Sequence, residues 1–224
     1  MGRTAKLSGW RRREFIAGCA VVLLALMLGA CGEKKDETAK SGATANSNQA
    51  GSGGTATPTT PSGKGQTAVI ETDAGTIKIE LLESEAPKTV GNFRLLAQRG
   101  LYNGTIFHRV ISGFMIQGGD PTGTGMGGAT ATGQPLVNEV NLRSPYYQGG
   151  YRRGLVAMAN KGTPESGTSQ FFIMHQTYPL QPNYTIFGKV IEGLEVVDKI
   201  ATAPTSGPNN RPVNPVAMKR VTIQ

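Results

Sequence analysis

One arginine in this 224-residue chain stands in a setting suited to chemistry. Arg109 lies in the run Phe107-His108-Arg109-Val110-Ile111-Ser112-Gly113-Phe114-Met115-Ile116-Gln117-Gly118-Gly119-Asp120, where polar side chains are set among apolar ones. A guanidinium stays protonated in a protein and presents donors in a fixed plane. It can therefore act electrostatically, without serving as an acid or a base. Composition closes other routes. The cysteines are Cys19 and Cys31, and none follows. A thiol nucleophile, a thiolate metal site and a disulfide framework are thus excluded from the rest of the chain. The histidines are His108 and His175, and neither sits in a cluster of His and carboxylates. A catalytic zinc would need three such ligands. No metal and no cofactor are expected.

Other patterns carry less. Gly123-Thr124-Gly125-Met126-Gly127-Gly128 looks only loosely like a phosphate-cradling loop, and no helical pattern opens after it. It reads better as a glycine-rich surface loop. Asn103-Gly104-Thr105 and Asn183-Tyr184-Thr185 are formal glycosylation sequons without further support. Tyr146, Tyr147 and Tyr151 with Arg152 and Arg153 form an aromatic and basic group. It is either a loop packed on the body or a contact for client proteins. The net charge of +8 is uneven: residues 1–66 hold 9 basic and 4 acidic side chains, and residues 67–224 hold 14 and 11. No basic run interleaved with aromatics occurs in the body, which argues against nucleic-acid binding.

The elements that must position these residues begin at Thr67. Ala68–Thr72 and Thr76–Leu82 read as a hairpin around Asp73-Ala74-Gly75. In Thr76–Leu81, polar and apolar residues alternate, as in a half-buried strand. Ala86 to Gly100 switches to a helical pattern. Pro87 suits its first turn, Val90, Phe93, Leu96 and Ala97 share a face, and Gly100 ends it. Further strand-like runs are Thr105–Ile111, Phe114–Gln117, Leu155–Ala159, Phe171–His175, Thr185–Val190 and Pro215–Ile223. Leu194 to Ala201 reads as a second, short helix. Many short strands with two helices predict a mainly β domain, a closed antiparallel barrel in preference to a sandwich. A regular strand at Thr105–Ile111 would put Phe107, Arg109 and Ile111 on one face and His108 and Val110 on the other. Met115 and Gln117 would likewise share a face.

Three collinear blocks resemble the cyclophilin family. They are Phe107–Asp120, Gly154–Asn160 with Ser169-Gln170-Phe171-Phe172-Ile173, and Phe187-Gly188-Lys189-Val190. Ser112 stands where the pattern usually has Pro. The resemblance spans residues 67–223. It implies a closed eight-stranded antiparallel β-barrel capped by two α-helices. It also implies a peptidyl-prolyl cis–trans isomerase that acts without a covalent intermediate. On that resemblance Arg109 is the catalytic guanidinium, and Phe114, Met115, Phe172 and Leu180 line the proline pocket. Gln117 hydrogen-bonds the substrate carbonyl, Ala159 and Asn160 pair with substrate backbone, Gln170 orients the polar rim, and the glycine-rich loop at residues 123–128 lies beside the pocket. Pro179 falls where many eukaryotic cyclophilins carry Trp, and Tyr184 where they carry His. Tyr184 keeps an aromatic body on that wall, and Tyr178 offers another ring nearby. The lost Trp counts against tight cyclosporin binding.

The chemistry fits such a site. An X-Pro bond isomerises unaided in tens to hundreds of seconds. Its barrier is amide resonance, so neither a nucleophile nor a metal is needed. A group that favours the twisted amide lowers the barrier. A hundred-thousand-fold acceleration asks for about 7 kcal/mol from the site as a whole.

Residues 1–30 read as an export signal. Arg3, Lys6 and Arg11–Arg13 are basic, and Phe15 to Ala30 is an apolar stretch too short for an ordinary spanning helix. Arg12-Arg13-Glu14-Phe15-Ile16 resembles a twin-arginine address, though an ordinary basic segment would read the same way. Leu28-Gly29-Ala30-Cys31 resembles the lipobox of bacterial lipoproteins, which implies lipidation of Cys31 and attachment to a membrane; the alternative is an uncleaved signal anchor with a chance cysteine. Residues 31–66 are rich in Gly, Ser and Thr and lack apolar periodicity, so a disordered tether is expected, spanning about 30–35 Å. The expected protein is a lipid-anchored monomer on the extracytoplasmic side of the cell membrane. Its partners would be proline-containing unfolded or exported polypeptides. The alternative is a binding module of the same fold that captures Pro-containing segments with weak turnover.

Overall fold

The computed structural model describes residues 66–224. The expected export signal, Cys31 and the expected tether through residue 65 lie outside the described residues. Thr67–Thr72 (β1) and Gly75–Leu81 (β2) form the expected hairpin, with Thr72 opposite Gly75. The Thr72 hydroxyl closes the turn by accepting the N–H groups of Ala74 (3.0 Å) and Gly75 (3.1 Å). Ile77, Ile79 and Leu81 of β2 are buried, and the polar residues between them are not, as the alternation predicts.

Pro87–Gln98 (α1) buries Val90, Phe93, Leu96 and Ala97 on one face. Its Ala86 cap position supplies no side-chain acceptor. The Glu139 carboxylate does so from a distant loop, accepting the N–H groups of Lys88 (3.0 Å) and Thr89 (2.8 Å). A negative charge there meets both the unpaired donors and the positive end of the helix dipole.

The remaining elements are Arg109–Ile111 (β3), Met115–Gly118 (β4), Leu155–Met158 (β5), Phe171–Met174 (β6), Ile186–Glu192 (β7), Leu194–Ala201 (α2), Thr205–Ser206 (β8), Arg211–Pro212 (β9) and Met218–Ile223 (β10). Eight strands form one sheet in the order β10-β1-β2-β7-β5-β6-β4-β3, every neighbouring pair antiparallel. β8 and β9 form a separate small hairpin.

The sheet curls into a half-barrel and does not close, which corrects the closed barrel expected from sequence. Backbone bonds do join the segments flanking its edges: Gly104 N–H to Met218 O (2.8 Å), Met218 N–H to Thr105 O (2.8 Å) and Phe107 N–H to Val216 O (3.1 Å). No ladder forms between β3 and β10 themselves. The reason lies at the edge of β3, where Val110 donates its N–H to Asn210 O (2.9 Å). The segment between β8 and β9 thus takes the position that closure would give to β10.

Both faces of the central strands are buried. Phe171 and Ile173 of β6, Val156 and Met158 of β5, and Ile116 of β4 join an inner core with Phe93, Tyr102, Phe107, Phe187 and the apolar face of α2. Their neighbours Phe172 and Met174, Leu155 and Ala157, and Met115 join a second cluster with Tyr151 and Ile186. The two-residue period of a strand delivers alternate side chains to the two clusters. Phe114, Leu180 and Tyr184 pack against the second cluster, half-buried.

Candidate active site

The second cluster forms the floor of a cavity of about 570 Å³. Strand register places a row of side chains across it. Arg109 of β3 is opposite Gln117 of β4, Gln117 is opposite Phe172 of β6, and Phe172 is opposite Ala157 of β5. Residues opposite one another share a face of the sheet. Met115, two residues before Gln117, lies on that face too, as its period requires.

Of the residues singled out in the sequence, Arg109, Phe114, Met115, Gln117, Ala159, Asn160, Phe172, Leu180 and Tyr184 all line this cavity. Phe172 and Tyr184 meet edge to face, with centroids 5.3 Å apart. Tyr178 packs on Phe114 at 4.5 Å and does not line the cavity. Pro179 is exposed, so Leu180 and Tyr184 form the wall beyond it. Gln170 stands behind the row and lines an adjoining recess of about 80 Å³.

Gln170 sets the polarity of the site. Its amide nitrogen donates to the carbonyls of Gly125 (3.0 Å) and Gly127 (2.6 Å), so its oxygen faces the other way. That oxygen accepts from Gln117 Nε2 (2.9 Å). Gln117 Oε1 is then left to accept from Arg109 Nη1 (3.3 Å). Two amides in series thus hold the guanidinium at the cavity wall, and no carboxylate pairs with it among the described residues.

The glycine-rich loop that receives Gln170 is itself organised by Asp120. This buried carboxylate accepts backbone N–H bonds from Thr122 (2.8 Å), Thr124 (3.1 Å), Gly125 (2.6 Å) and Gly127 (3.1 Å). Burial pushes its pKa up, but the bonds from Thr122, Gly127 and Gly125 outweigh that and hold it below the ordinary value.

Two of the tyrosines and Arg153 of the aromatic and basic group are tied into the fold. Tyr151 OH donates to Tyr184 O (2.7 Å) and accepts from Tyr184 N–H (3.0 Å). Tyr147 OH donates to Tyr184 O (3.2 Å) and accepts from Ile186 N–H (2.9 Å), and burial pushes its pKa up to about 12. Both hydroxyls fasten the Tyr184 wall. Arg153 pairs with Asp198 of α2 through both carboxylate oxygens. His175, at the end of β6, accepts the Gly113 N–H at Nδ1 (2.9 Å) and approaches Asp198 with Nε2 (3.4 Å).

Thr124, Gly125 and Met126 of the glycine-rich loop line the cavity, as the resemblance implied, whereas His108, residues 206–209 and Arg211 were not anticipated. His108 is a correction. The regular strand begins only at Arg109, so alternation fails before it. Phe107 joins the inner core together with Val110, and His108 lines the cavity beside Arg109. Gly207-Pro208-Asn209-Asn210 is a clear turn signal, but nothing local to it indicates that it reaches the cavity. Among the described residues no cluster of three His, Cys, Asp or Glu could hold a metal ion.

A curled antiparallel sheet whose outer face carries an apolar cup with a fixed guanidinium defines a cyclophilin-like protein. The family model described as cyclophilin type peptidyl-prolyl cis-trans isomerase/CLD matches residues 67–223. The chain is 47% identical over 151 residues to the peptidyl-prolyl cis-trans isomerase CYP18-1 of Arabidopsis thaliana, covering 66% of this chain and 89% of that one. It is 47% identical over 148 residues to the human peptidyl-prolyl cis-trans isomerase-like 3, with the same coverage. A crystal structure of a cyclophilin type isomerase from Cryptosporidium parvum, in the presence of the dipeptide Ala-Pro, superposes with a TM-score of 0.65 at 38% identity, over 70% of this chain and 98% of that one. The chain belongs to the cyclophilin-type peptidyl-prolyl cis–trans isomerases and is an enzyme of that activity.

Proposed function

We propose that Arg109 lowers the barrier to X-Pro rotation by stabilising the twisted amide. When the bond rotates, the nitrogen leaves conjugation and regains its lone pair. A guanidinium N–H beside it can then donate to an acceptor that the planar amide lacks. Such a bond forms only near the transition state, which is the condition for raising kcat. The observation that carries this reading is the Gln170–Gln117–Arg109 series, which supports a guanidinium held in place before substrate arrives.

The other roles follow from position. Phe114, Met115, Phe172 and Leu180 form an apolar cup that grips the proline ring, with Tyr184 at its edge. Gln117 uses one amide N–H on Gln170 and has a second for a substrate carbonyl. Ala159 donates its N–H to Gln170 O (2.9 Å), so pairing with an extended substrate falls to its carbonyl and to the Asn160 backbone. The Ala-Pro dipeptide in the Cryptosporidium parvum structure supports proline-containing peptides as the substrate class. The experiment is to follow cis–trans exchange of a proline tetrapeptide by NMR with the full chain and its Arg109→Ala variant. Equal rates would remove Arg109 from the mechanism.

We further propose that this is a lipoprotein form of the family: residues 1–30 a signal, Cys31 lipidated, residues 31–66 a tether and residues 67–224 the isomerase domain. Its clients would be exported polypeptides, and it would work as a lipid-anchored monomer outside the cytoplasmic membrane. The support is the apolar stretch ending in Leu28-Gly29-Ala30-Cys31 and the polar composition that follows it. No helix among the described residues is long and apolar enough to cross a membrane. Cys31→Ser is expected to move the protein from the membrane to the soluble fraction. A Cys31→Ser protein that still carries acyl chains would sink the assignment.

A further inference from the structure

The cavity has a second polar end that amide rotation does not use. It lies between the glycine-rich loop and the β8–β9 hairpin, and His108, Thr124, Asn209 and Arg211 line it. His108 is only 5% exposed, and among the described residues neither of its ring nitrogens has a hydrogen-bond partner. A buried polar group in that state is rare and costly. Arg211 spends Nη1 on the carbonyl of Gly123 and enters no ion pair among the described residues. Among the described residues two guanidiniums, those of Arg109 and Arg211, line the cavity, and no Asp or Glu does. The nearby carboxylate of Asp120 favours positive charge at His108, while its oxygens accept their hydrogen bonds from the loop.

We propose that this end is a subsite for an acidic side chain of the substrate, an Asp or Glu within two residues of the proline. Arg211 receives the carboxylate with its remaining N–H groups, and the Arg109 guanidinium adds a second positive charge to the same cavity. The inference rests on the placement of the proline beside Arg109 and adds substrate selectivity to it. An extended peptide advances about 3.3–3.6 Å per residue, and Arg109 and Arg211 line the same cavity. A Gln of the same shape lacks the charge, and a Lys meets two like charges.

The test uses the full chain and pairs of proline tetrapeptides that differ only by Glu or Gln. The variable residue is placed on either side of the proline, and one residue further. Exchange rates are read by NMR at low salt and neutral pH. The expected result is a Glu-to-Gln ratio of kcat/KM of about three or more for at least one position, the scale of a partly exposed ion pair. That ratio should fall toward one in Arg211→Gln and with rising salt, and Lys at the same position should fall below Gln. The ratio is internal to each variant, so a loss of folded protein does not imitate it. A ratio of one at every position in the native chain overturns the proposal, and so does a ratio that survives Arg211→Gln. The catalytic reading is tested separately, by Arg109→Ala on the Gln peptides.

Discussion

The two walls of the cavity are built on different principles. One wall consists of β3, β4 and β6, where register alone brings Arg109, Gln117 and Phe172 abreast. Its backbone polar groups are paired strand to strand, and its side chains are seated on a second hydrophobic cluster. The other wall is the glycine-rich loop and the β8–β9 hairpin. Asp120 gathers the loop with backbone bonds, and Arg211 ties the hairpin to it. The comparison separates two tasks. Stabilising a transition state requires a group that does not reorganise, which a sheet provides. Sorting substrates requires groups that can differ between relatives without unfolding the scaffold, which loops provide.

The sharpest way to break this comparison is at Arg109. Arg109→Ala should lower kcat/KM by about a hundred- to a thousand-fold, the usual result of removing one charge-stabilising donor, while the melting temperature moves little. A large loss of stability would mean that the guanidinium is structural. Glycines on the two walls give the next contrast. A Cβ at Gly118 of β4 would press on Met218 Cε and come within 3.1 Å of Ile106 O, inside the core. Gly118→Ala should cost about 1–3 kcal/mol in urea unfolding. A Cβ at Gly127 would instead press on the Asp120 carboxylate. Gly127→Ala should change loop hydrogen exchange and peptide selectivity more than global stability.

Gln170 joins the two walls, so its loss should show on both. Gln170→Ala removes the partner of Gln117 and the bonds to the loop carbonyls. We expect a roughly ten-fold fall in kcat/KM, consistent with about 1–3 kcal/mol for unsatisfied buried partners, together with faster exchange of loop amides. Unchanged kinetics would show that Arg109 needs no amide support.

The smallest effect is with pH. Burial holds the His108 pKa below its usual value, so the folded protein resists protonating it. The unfolded chain takes up that proton near pH 6.5. Stability from this group is therefore complete above about pH 6.5 and lost as pH falls toward the lowered folded value. Asp120 adds a separate loss further down. Its stabilisation is present above about pH 3.9 and disappears as pH drops through its depressed folded value. Denaturant midpoints across pH should show both steps, and His108→Gln should erase only the upper one.

Legibility followed periodicity. β2, α1 and α2 were readable because each has enough residues to show a two-fold or helical repeat. The floor of the cavity was readable because Met115, Gln117 and Phe172 belong to motif blocks whose joint pattern is specific. β8 and β9, of two residues each, have no period to read. His108 was assigned to the wrong face because a regular strand was extended through residues where none exists. The closed barrel failed for a similar reason: the order of strands does not reveal what competes for an edge.

The sequence by itself determined the family, the candidate guanidinium and its apolar cup, because these depend on residue types at close spacing within contiguous blocks. Only the tertiary structure decided how Arg109 is aimed and what surrounds it. Its orientation depends on Gln170, 53 residues beyond Gln117, and the far wall comes from Arg211, 88 residues beyond its partner Gly123. Contacts across such separations arise from chain closure, and no local pattern encodes which of them will form.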